Sequence, residues 1–580
     1  MKRLLVYLKG YKKECILAPL FKMLEASFEL FVPLVVADLI DNGIARMDKG
    51  IIVRSFVLLV ILGFIGLVAS LTAQFFAAKA AVNFATDLRH SLFSHLMKLG
   101  FPEIDRLGTS TMITRMTSDV NQLQNGVNMV LRLFLRSPFV VFGAMIMAFT
   151  IDVKSALIFL AVIVTLSFVV FGLMIVDIRL ASKVQQDLER VLSATRENLN
   201  GVRVIRAFCK EKEEYNRFSE DNGILTAALN HASNMTAMLN PLTYVMINGA
   251  IIALIYTGAL HVSKGIISQG QVVALYNYMS QILVELIKLA NLIVLIIKSV
   301  ASGNRVSAVF DINPSMKDAQ IDIADKETQG ESENGKYSVE YRNVSLTYPT
   351  AGDASLENIS FKVEKGRTVG IIGGTGCGKT SLVHLLCRFY EVSNGEVLIN
   401  GTDVREYTTD SLRKKVGIVM QKAVLFKGTL RDNLRWADKN ATDEEMNEAL
   451  MNAQAYDMMQ EKGGLDAVIE QGGRNFSGGQ KQRLSIARTL IGKPEILILD
   501  DSSSALDYLT DLNLRKAISR LEYDPTVFIV SGRCASIMSA DMIIVLDDGK
   551  VAGIGRHDEL LETCDVYKEI YASQYKGVSV

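Results

Sequence analysis

Gly373-Gly374-Thr375-Gly376-Cys377-Gly378-Lys379-Thr380 is the stretch that decides how this chain is read. It follows the apolar run Val369-Gly370-Ile371-Ile372 and precedes a helix-forming pattern from Ser381 to Phe389, so the glycines fall between a strand and a helix. The spacing matches the P-loop pattern G-x-x-x-x-G-K-[ST]. Glycines let backbone N–H groups curl around phosphate oxygens, Lys379 reaches the terminal phosphates, and the Thr380 hydroxyl supplies a ligand for Mg²⁺. Gly373 through Ser381 is therefore a candidate cradle for a nucleoside triphosphate.

Further motifs follow in order. Ile496-Leu497-Ile498-Leu499-Asp500 puts four apolar residues before a carboxylate, as a buried parallel strand carrying a Walker B metal ligand does. Val527-Phe528-Ile529-Val530 is a third strand-like run, and from Tyr337 to about 575 such runs alternate with helical patterns, which predicts an α/β domain. Between P-loop and Walker B lies Asn475-Phe476-Ser477-Gly478-Gly479-Gln480-Lys481-Gln482-Arg483. Its serine hydroxyl, two glycine amides and helix start offer a second anion cradle.

Toward the N-terminus the chain changes character. Hydrophobic residues make up 49% of it, and neither Ser55 to Ala78 nor Ser155 to Val176 holds a charged residue. Each is long enough to cross a hydrocarbon layer of about 30 Å as a helix. Six apolar segments can be read, at about 15–42, 51–79, 127–151, 155–178, 236–262 and 268–298. The stretches 80–126 and 179–235 are instead charged and rich in helix formers, as in Asp87-Leu88-Arg89-His90 and Leu188-Glu189-Arg190. They read as membrane helices extended into water, with reversals at Gly100-Phe101-Pro102 and Cys209-Lys210-Glu211-Lys212.

Lys2, Arg3, Lys9, Lys12 and Lys13 precede the first segment, which places the N-terminus in the cytoplasm, and an even number of spans returns the C-terminus there. No compact apolar region with a cleavage site makes this a signal peptide. Lysine plus arginine equals aspartate plus glutamate at 62 each, so no global field recruits nucleic acid. Six scattered cysteines support neither a disulfide framework nor a zinc site. The predicted organisation is a six-span α-helical transmembrane domain over 1–310 with long cytoplasmic helix extensions, a polar linker over 311–336 and an α/β P-loop domain over 337–580.

Ser-Gly-Gly-Gln at a helix start, about a hundred residues after a P-loop and twenty before a Walker B strand, resembles the signature of ATP-binding cassette (ABC) proteins. With six spans ahead of it, nearly the whole chain resembles a half-transporter of the ABC exporter type. The resemblance implies ATP and Mg²⁺ as cofactors, and two cassettes that sandwich two nucleotides head to tail, so that Ser477, Gly478, Gly479 and Gln480 serve ATP held by a partner. It also implies adenine stacking on Tyr348, contact of Gln421 with Mg²⁺ and the membrane domain, metal ligation by Thr380, Gln421 and Asp500, and a D-loop at Ser504-Ala505-Leu506-Asp507. Helix-loop contacts near 103–112 and 209–215 would transmit closure, and the substrate would be an amphiphilic drug, lipid or peptide moved out across a bacterial inner membrane, in contact with membrane lipid.

Two positions depart from that family pattern. Where a glutamate normally polarises the attacking water stands Asp501, one methylene shorter, and where apolar-Ser/Ala-His-Arg carries the switch histidine stands Val530-Ser531-Gly532-Arg533. General-base catalysis needs heavy-atom contact of about 2.6 to 3.2 Å, so a retracted carboxylate activates water poorly. None of the six histidines lies between Asp500 and His557. An intact signature beside a degenerate site implies a heterodimer whose partner half-transporter keeps the glutamate and the histidine.

Charges also mark the spans: Lys22, Glu25 and Glu29 share a face of segment one, Arg132 and Arg136 lie on segment three, and Glu285 and Lys288 on segment six. Charges at bilayer depth must pair or face a cavity. Either they pair across helices to fix packing, or Glu25 and Glu29 line a translocation cavity that favours cationic amphiphiles. Two other functional classes compete with an exporter subunit: a nucleotide-gated channel or regulatory ABC subunit, which weak hydrolysis suits, and a soluble ABC ATPase acting on nucleic acid, against which the spans argue.

Overall fold

A computed structural model describes residues 2–316, 319, 336–348 and 351–575. Most of the polar stretch read as a linker, and Pro349 beside Tyr348, lie outside the described residues. The chain divides into two compact units, one drawn from residues 1–97 and 110–312 and the other from 98–109 and 313–580.

The first unit is helical. Lys12–Asp38, Lys49–Leu96, Val153–Asn200, Glu211–Ser263 and Gln269–Phe310 are long helices, and a third span is built from Val120–Leu133 and Arg136–Ile151. Among the described residues five helices are long and apolar enough to cross a membrane. The first, at 27 residues, is long enough but more polar, because Lys22, Glu25 and Glu29 fall within it. The second and fourth helices do continue far past their apolar cores, to Leu96 and Asn200. The chain reverses after Leu96, and again around the short helix Val202–Ala207, where Cys209 takes a left-handed φ of 52°.

Local chemistry sets the helix ends. Asp48 accepts from the amides of Gly50 and Ile51, Asp152 from that of Ser155, and Ser268 and Gln271 form a reciprocal capping box. Asp41, at the far end of the first span, accepts from the Gly270 amide at 2.8 Å and from the Ser268 hydroxyl, which fastens the first span to the start of the sixth.

Between spans the packing rests on small residues. Ala69, Ala73, Ala77, Ala81 and Ala85 recur every four positions on one face of the second span and are all buried. Small side chains let helix backbones approach closely, which matters where no water drives association. The tightest approach is Gly126 on the third span against the sixth: a Cβ there would lie 2.2 Å from Ser299 Oγ, whose hydroxyl donates to the Gln122 carbonyl at 3.0 Å.

The second unit carries three sheets. Its strands are β1 (Tyr337–Leu346), β2 (Leu356–Glu364), β3 (Thr368–Gly373), β4 (Asn394–Ile399), β5 (Thr402–Asp403), β6 (Val416–Val419), β7 (Gly428–Thr429), β8 (Val468–Ile469), β9 (Ile496–Asp500), β10 (Thr526–Val530), β11 (Met542–Asp547) and β12 (Lys550–Gly555). The main sheet runs β12-β11-β3-β10-β9-β6, parallel except for its β12 edge, beside a smaller antiparallel sheet β2-β1-β4-β5 and the short pair β7-β8. Residues of β3, β9 and β10 are almost wholly apolar because both faces of the parallel sheet are covered.

Gly126→Ala is expected to destabilise the helical unit by about 1–3 kcal/mol through overpacking. Combining it with Ser299→Gly restores most of the loss. Denaturation of the purified variants in mixed micelles, followed by circular dichroism, measures both, and equal stability of Gly126→Ala and the parent would refute the close contact.

Candidate functional site

Parallel strands end on one edge, and here that edge gathers the motifs. In β10, Val530 pairs with Ile371 of β3 on one side and with Asp500 of β9 on the other. The P-loop leaves β3, Asp500 and Asp501 close β9, Ser531 and Gly532 follow β10, and Met420-Gln421 follow β6. Open α/β sheets bind ligands at this carboxyl edge.

Within the P-loop, Gly378 has φ 95°, and a Cβ there would meet the Ser355 carbonyl and Leu356 Cδ2 at 2.7 Å each. Only glycine can hold that turn, which opens directly into the helix Lys379–Leu386. The Lys379 ammonium donates to the carbonyls of Gly373 at 2.9 Å and Gly374 at 2.6 Å, and its Nζ lies 3.7 Å from the buried Cys377 thiol. Thr375 and Gly376 form the outer bend of the same loop.

Thr380 Oγ1 donates to Asp500 Oδ1 at 3.1 Å. The other Asp500 oxygen is buried with no hydrogen-bond partner. Burial, with the neighbouring Asp501 carboxylate adding to it, holds Asp500 above the usual carboxylate range, against the opposing pull of the Thr380 hydroxyl and the Lys379 ammonium. A buried carboxylate oxygen without a partner, next to a threonine hydroxyl, is a hard-oxygen donor set that suits Mg²⁺. Thr380, Gln421 and Asp500 also line one cavity of about 430 Å³.

His384 and Arg488 line that cavity too, and burial lowers the pKa of the His384 imidazole. Neither belongs to a motif that spacing could reveal.

Asp501 adopts a left-handed φ of 43°, its amide donates to the Val530 carbonyl at 3.0 Å, and its Oδ2 accepts from Gln421 Nε2 at 3.2 Å. Gly532 is different in kind from the P-loop glycines. A Cβ at Gly532 would meet nothing within 4 Å, and its carbonyl accepts from Gln574 Nε2 at 2.8 Å.

Tyr348 shares a hydrogen bond with Ser381 at 2.8 Å and meets Tyr390 edge to face at 4.8 Å between ring centroids. Tyr390 in turn donates to Asp105 at 2.5 Å. Asp105 sits on the short helix Phe101–Leu107, where Phe101 stacks on Phe389 at 4.3 Å. These contacts explain why residues 98–109 group with the nucleotide-motif unit. Burial, followed by the Asp105 hydrogen bond, keeps the Tyr390 phenol protonated well above its ordinary range. Tyr390 and Asp105 were not legible as partners, being 285 residues apart.

Ser477 caps the helix Gly478–Ile491 in a reciprocal box with Gln480. A Cβ on Gly479 would lie 2.7 Å from the Ala505 carbonyl, so the D-loop can pass this helix start only if the residue is glycine. Among the described residues no hydrogen bond joins Ser477–Gln480 to Gly373–Ser381.

In the helical unit Arg136 pairs across helices, and Lys22 and Lys288 pair within their own. Arg136 donates to Glu29 of the first span at 2.6 Å and to Glu285 of the sixth at 2.5 Å. Glu285 also accepts from Ser137 and from Lys288, each at 2.8 Å. Glu25 is engaged by Lys22 at 2.5 Å, and Lys22 also donates to Ser70 of the second span at 3.1 Å. Arg132 Nε is buried without a hydrogen-bond partner. Buried charges are tolerated when paired and hydrogen-bonded in this way. Glu29 lines a cavity between the first, third and sixth spans, whereas Glu25 does not.

Family models match the chain as the ABC transporter transmembrane region over residues 15–286 and as ABC transporter over residues 356–504. An uncharacterized ABC transporter ATP-binding protein of Mycobacterium tuberculosis (strain CDC 1551 / Oshkosh) is 33% identical, covering 99% of this chain and 98% of its own length. An ATP-dependent lipid A-core flippase of Desulfotalea psychrophila is 32% identical over 84% of each chain. A solved structure of a bacterial Atm1-family ABC exporter with ATP bound superposes with a TM-score of 0.80 at 21% identity, covering 98% of this chain and 99% of that one. With a helical unit of long apolar spans joined to an α/β unit that gathers the nucleotide motifs on one sheet edge, the chain belongs to the ABC transporters, as a half-transporter with the Atm1-family exporter fold.

Proposed function

We propose that this chain is one subunit of a heterodimeric ATP-driven exporter of amphiphilic drugs, lipids or peptides in a bacterial inner membrane, with both termini cytoplasmic. Its own Walker site retains ATP and hydrolyses it weakly. Its signature, Ser477 to Gln480, completes the hydrolysing site of a partner half-transporter that carries the glutamate and the histidine. Two relatives, a lipid A-core flippase and a putative multidrug export ATP-binding/permease protein of Bacillus subtilis, support amphiphilic lipids and drugs as the substrate class.

One observation carries the asymmetry. The Asp501 amide bonds to the Val530 carbonyl, two residues before Gly532, so both departures stand in one site. The Asp501 carboxylate is one methylene short and already accepts a hydrogen bond from Gln421, and Gly532 offers no ring to the γ-phosphate. Binding does not depend on either residue. The P-loop amides and Lys379 hold the phosphates, Thr380, Gln421 and Asp500 hold Mg²⁺, which would neutralise phosphate charge, and Tyr348 stacks on adenine. The chain therefore keeps what retention needs and lacks what activation of water needs.

Closure of the cassettes is passed to the spans through the segments near 103–112 and 209–215, and the span cavity bordered by Glu29, with Glu25 and Lys22 behind it, opens outward. A nucleotide-gated channel or regulatory subunit would share the weak site but would pass ions. Uptake into inside-out vesicles against single-channel recording separates the two.

Purified alone, the chain is expected to hydrolyse ATP slowly, and Asp501→Glu combined with Gly532→His to raise the rate by about tenfold or more, since general-base positioning contributes about 10²–10⁴. Release of phosphate measures this. Fast turnover by the unaltered chain that Asp501→Asn abolishes would overturn the degenerate-site reading.

In the assembled pair, Ser477→Arg should abolish steady-state hydrolysis, while Lys379→Ala should mainly lose the slowly exchanging ATP. Radiolabelled nucleotide retained after rapid desalting, measured beside phosphate release, distinguishes them. Equal loss of both readouts in both variants would argue for two equivalent sites.

A further inference from the structure

Among the groups around Arg136, Glu29 and Lys288 keep hydrogen-bonding capacity beside a cavity. About 440 Å³ in volume, it lies between the first, third and sixth spans. Such a size accommodates a small-molecule head group. Val32, Val36, Val140 and Val284 form its apolar wall, while Glu29, Asn277, Ser280, Gln281, Glu285 and Lys288 form the polar one.

Glu285 is buried and engaged at both oxygens, one by Arg136 and Lys288 and the other by Ser137. Glu29 is engaged at one. Its Oε2 takes Arg136, and its Oε1 has no hydrogen-bond partner among the described residues. Lys288 spends one donor on Glu285 and has two left. Both side chains are 43% exposed. The cavity thus presents one open acceptor, Glu29 Oε1, and one open cationic donor, Lys288 Nζ.

Of the charged side chains that line the cavity Glu29 and Glu285 are negative and Lys288 positive, and Arg136, bonded to both carboxylates, balances the remaining charge. A singly charged ligand would satisfy one open group and face repulsion from the other. In a low-dielectric setting that mismatch is costly. A head group carrying both charges satisfies both groups and leaves the site neutral, while its hydrocarbon lies against the valines.

We propose that this cavity binds the head of a zwitterionic amphiphile, its ammonium on Glu29 Oε1 and its anionic group on Lys288. The proposal rests on the exporter reading for its place in transport, and names the substrate class of that cavity. Glu25, closed by Lys22, takes no part in recognition.

The full chain in nanodiscs, without nucleotide, is tested by displacement of radiolabelled dodecyl phosphoethanolamine in a scintillation proximity assay, with empty discs as blank. Competitors share one chain length: dodecyl phosphoethanolamine, dodecylammonium and dodecyl phosphate. The zwitterion is expected to compete at about tenfold lower concentration than either probe bearing charge of one sign, the scale of one charge-assisted hydrogen bond. Glu29→Gln should weaken the zwitterion and dodecylammonium about tenfold and spare dodecyl phosphate. Lys288→Gln should weaken the zwitterion and dodecyl phosphate and spare dodecylammonium.

If Glu29→Gln, which also loses a partner of Arg136, fails to fold, the Lys288→Gln split decides alone. Absence of saturable binding, equal affinity for the three probes, or equal weakening of all three by Lys288→Gln overturns the proposal. ATP-dependent uptake into inside-out vesicles keeps the two readings apart. Export of other amphiphiles without saturable zwitterion binding removes this site and leaves the exporter. The expected binding pattern with no uptake of any probe by vesicles that hold the assembled pair keeps the site and removes the exporter.

Discussion

The pairing of β10 between β3 and β9 is the constraint on which the nucleotide unit depends. Because Val530 is held in register with Ile371 and Asp500 at once, three loops that chemistry needs together leave the sheet side by side. The backbone ladder, not any one side chain, sets the separation between phosphate cradle, metal carboxylate and the residues after β10. A slip of β10 by one residue would turn every one of its side chains to the other face, which two covered faces forbid. Local polar contacts then refine the site, Thr380 to Asp500 and Gln421 to Asp501.

The helical unit solves a different problem with a different device. Hydrocarbon gives no reward for bringing apolar helices together, so alanine faces and Gly126 supply close approach while a few ions supply direction. Arg136 ties the first span to the sixth, and Asp41 ties the same two spans at their other ends. Fastened at both points, the pair borders one wall of the cavity. Charges that look expensive one helix at a time become the fasteners once the helices meet.

How much of this could be read in sequence follows from where each signal lives. The strands β3, β9 and β10 were legible because burial on both faces writes an unbroken apolar run, and the P-loop because glycine and lysine recur at fixed spacing. Helix extensions were legible as charged stretches that kept helical periodicity. The first span is less apolar than a membrane segment alone would be, since its Lys22, Glu25 and Glu29 answer to partners it does not itself contain or to one another. Pairs such as Arg136 with Glu285, or Tyr390 with Asp105, leave no trace in a local window because the fold alone brings them together. Nor could spacing distinguish Glu25 from Glu29, which differ in whether a neighbouring lysine or a distant arginine claims them.

Two kinds of glycine in the nucleotide unit bear on what its departures mean. Gly378 and Gly479 are demanded by the fold, one by a left-handed turn and both by backbone carbonyls at 2.7 Å from where a Cβ would stand. Gly532 is demanded by nothing of the sort: the space beside it is open and its φ is ordinary. A Cβ there would meet open space, and Asp501 likewise holds a left-handed φ that aspartate tolerates. Backbone conformation and crowding at the Cβ therefore do not account for the glycine at 532. Packing thus imposes glycine at 378 and at 479 and leaves position 532 unconstrained, so the two departures at 501 and 532 stand where the backbone leaves the residue free to vary while the glycines around them stand where it does not.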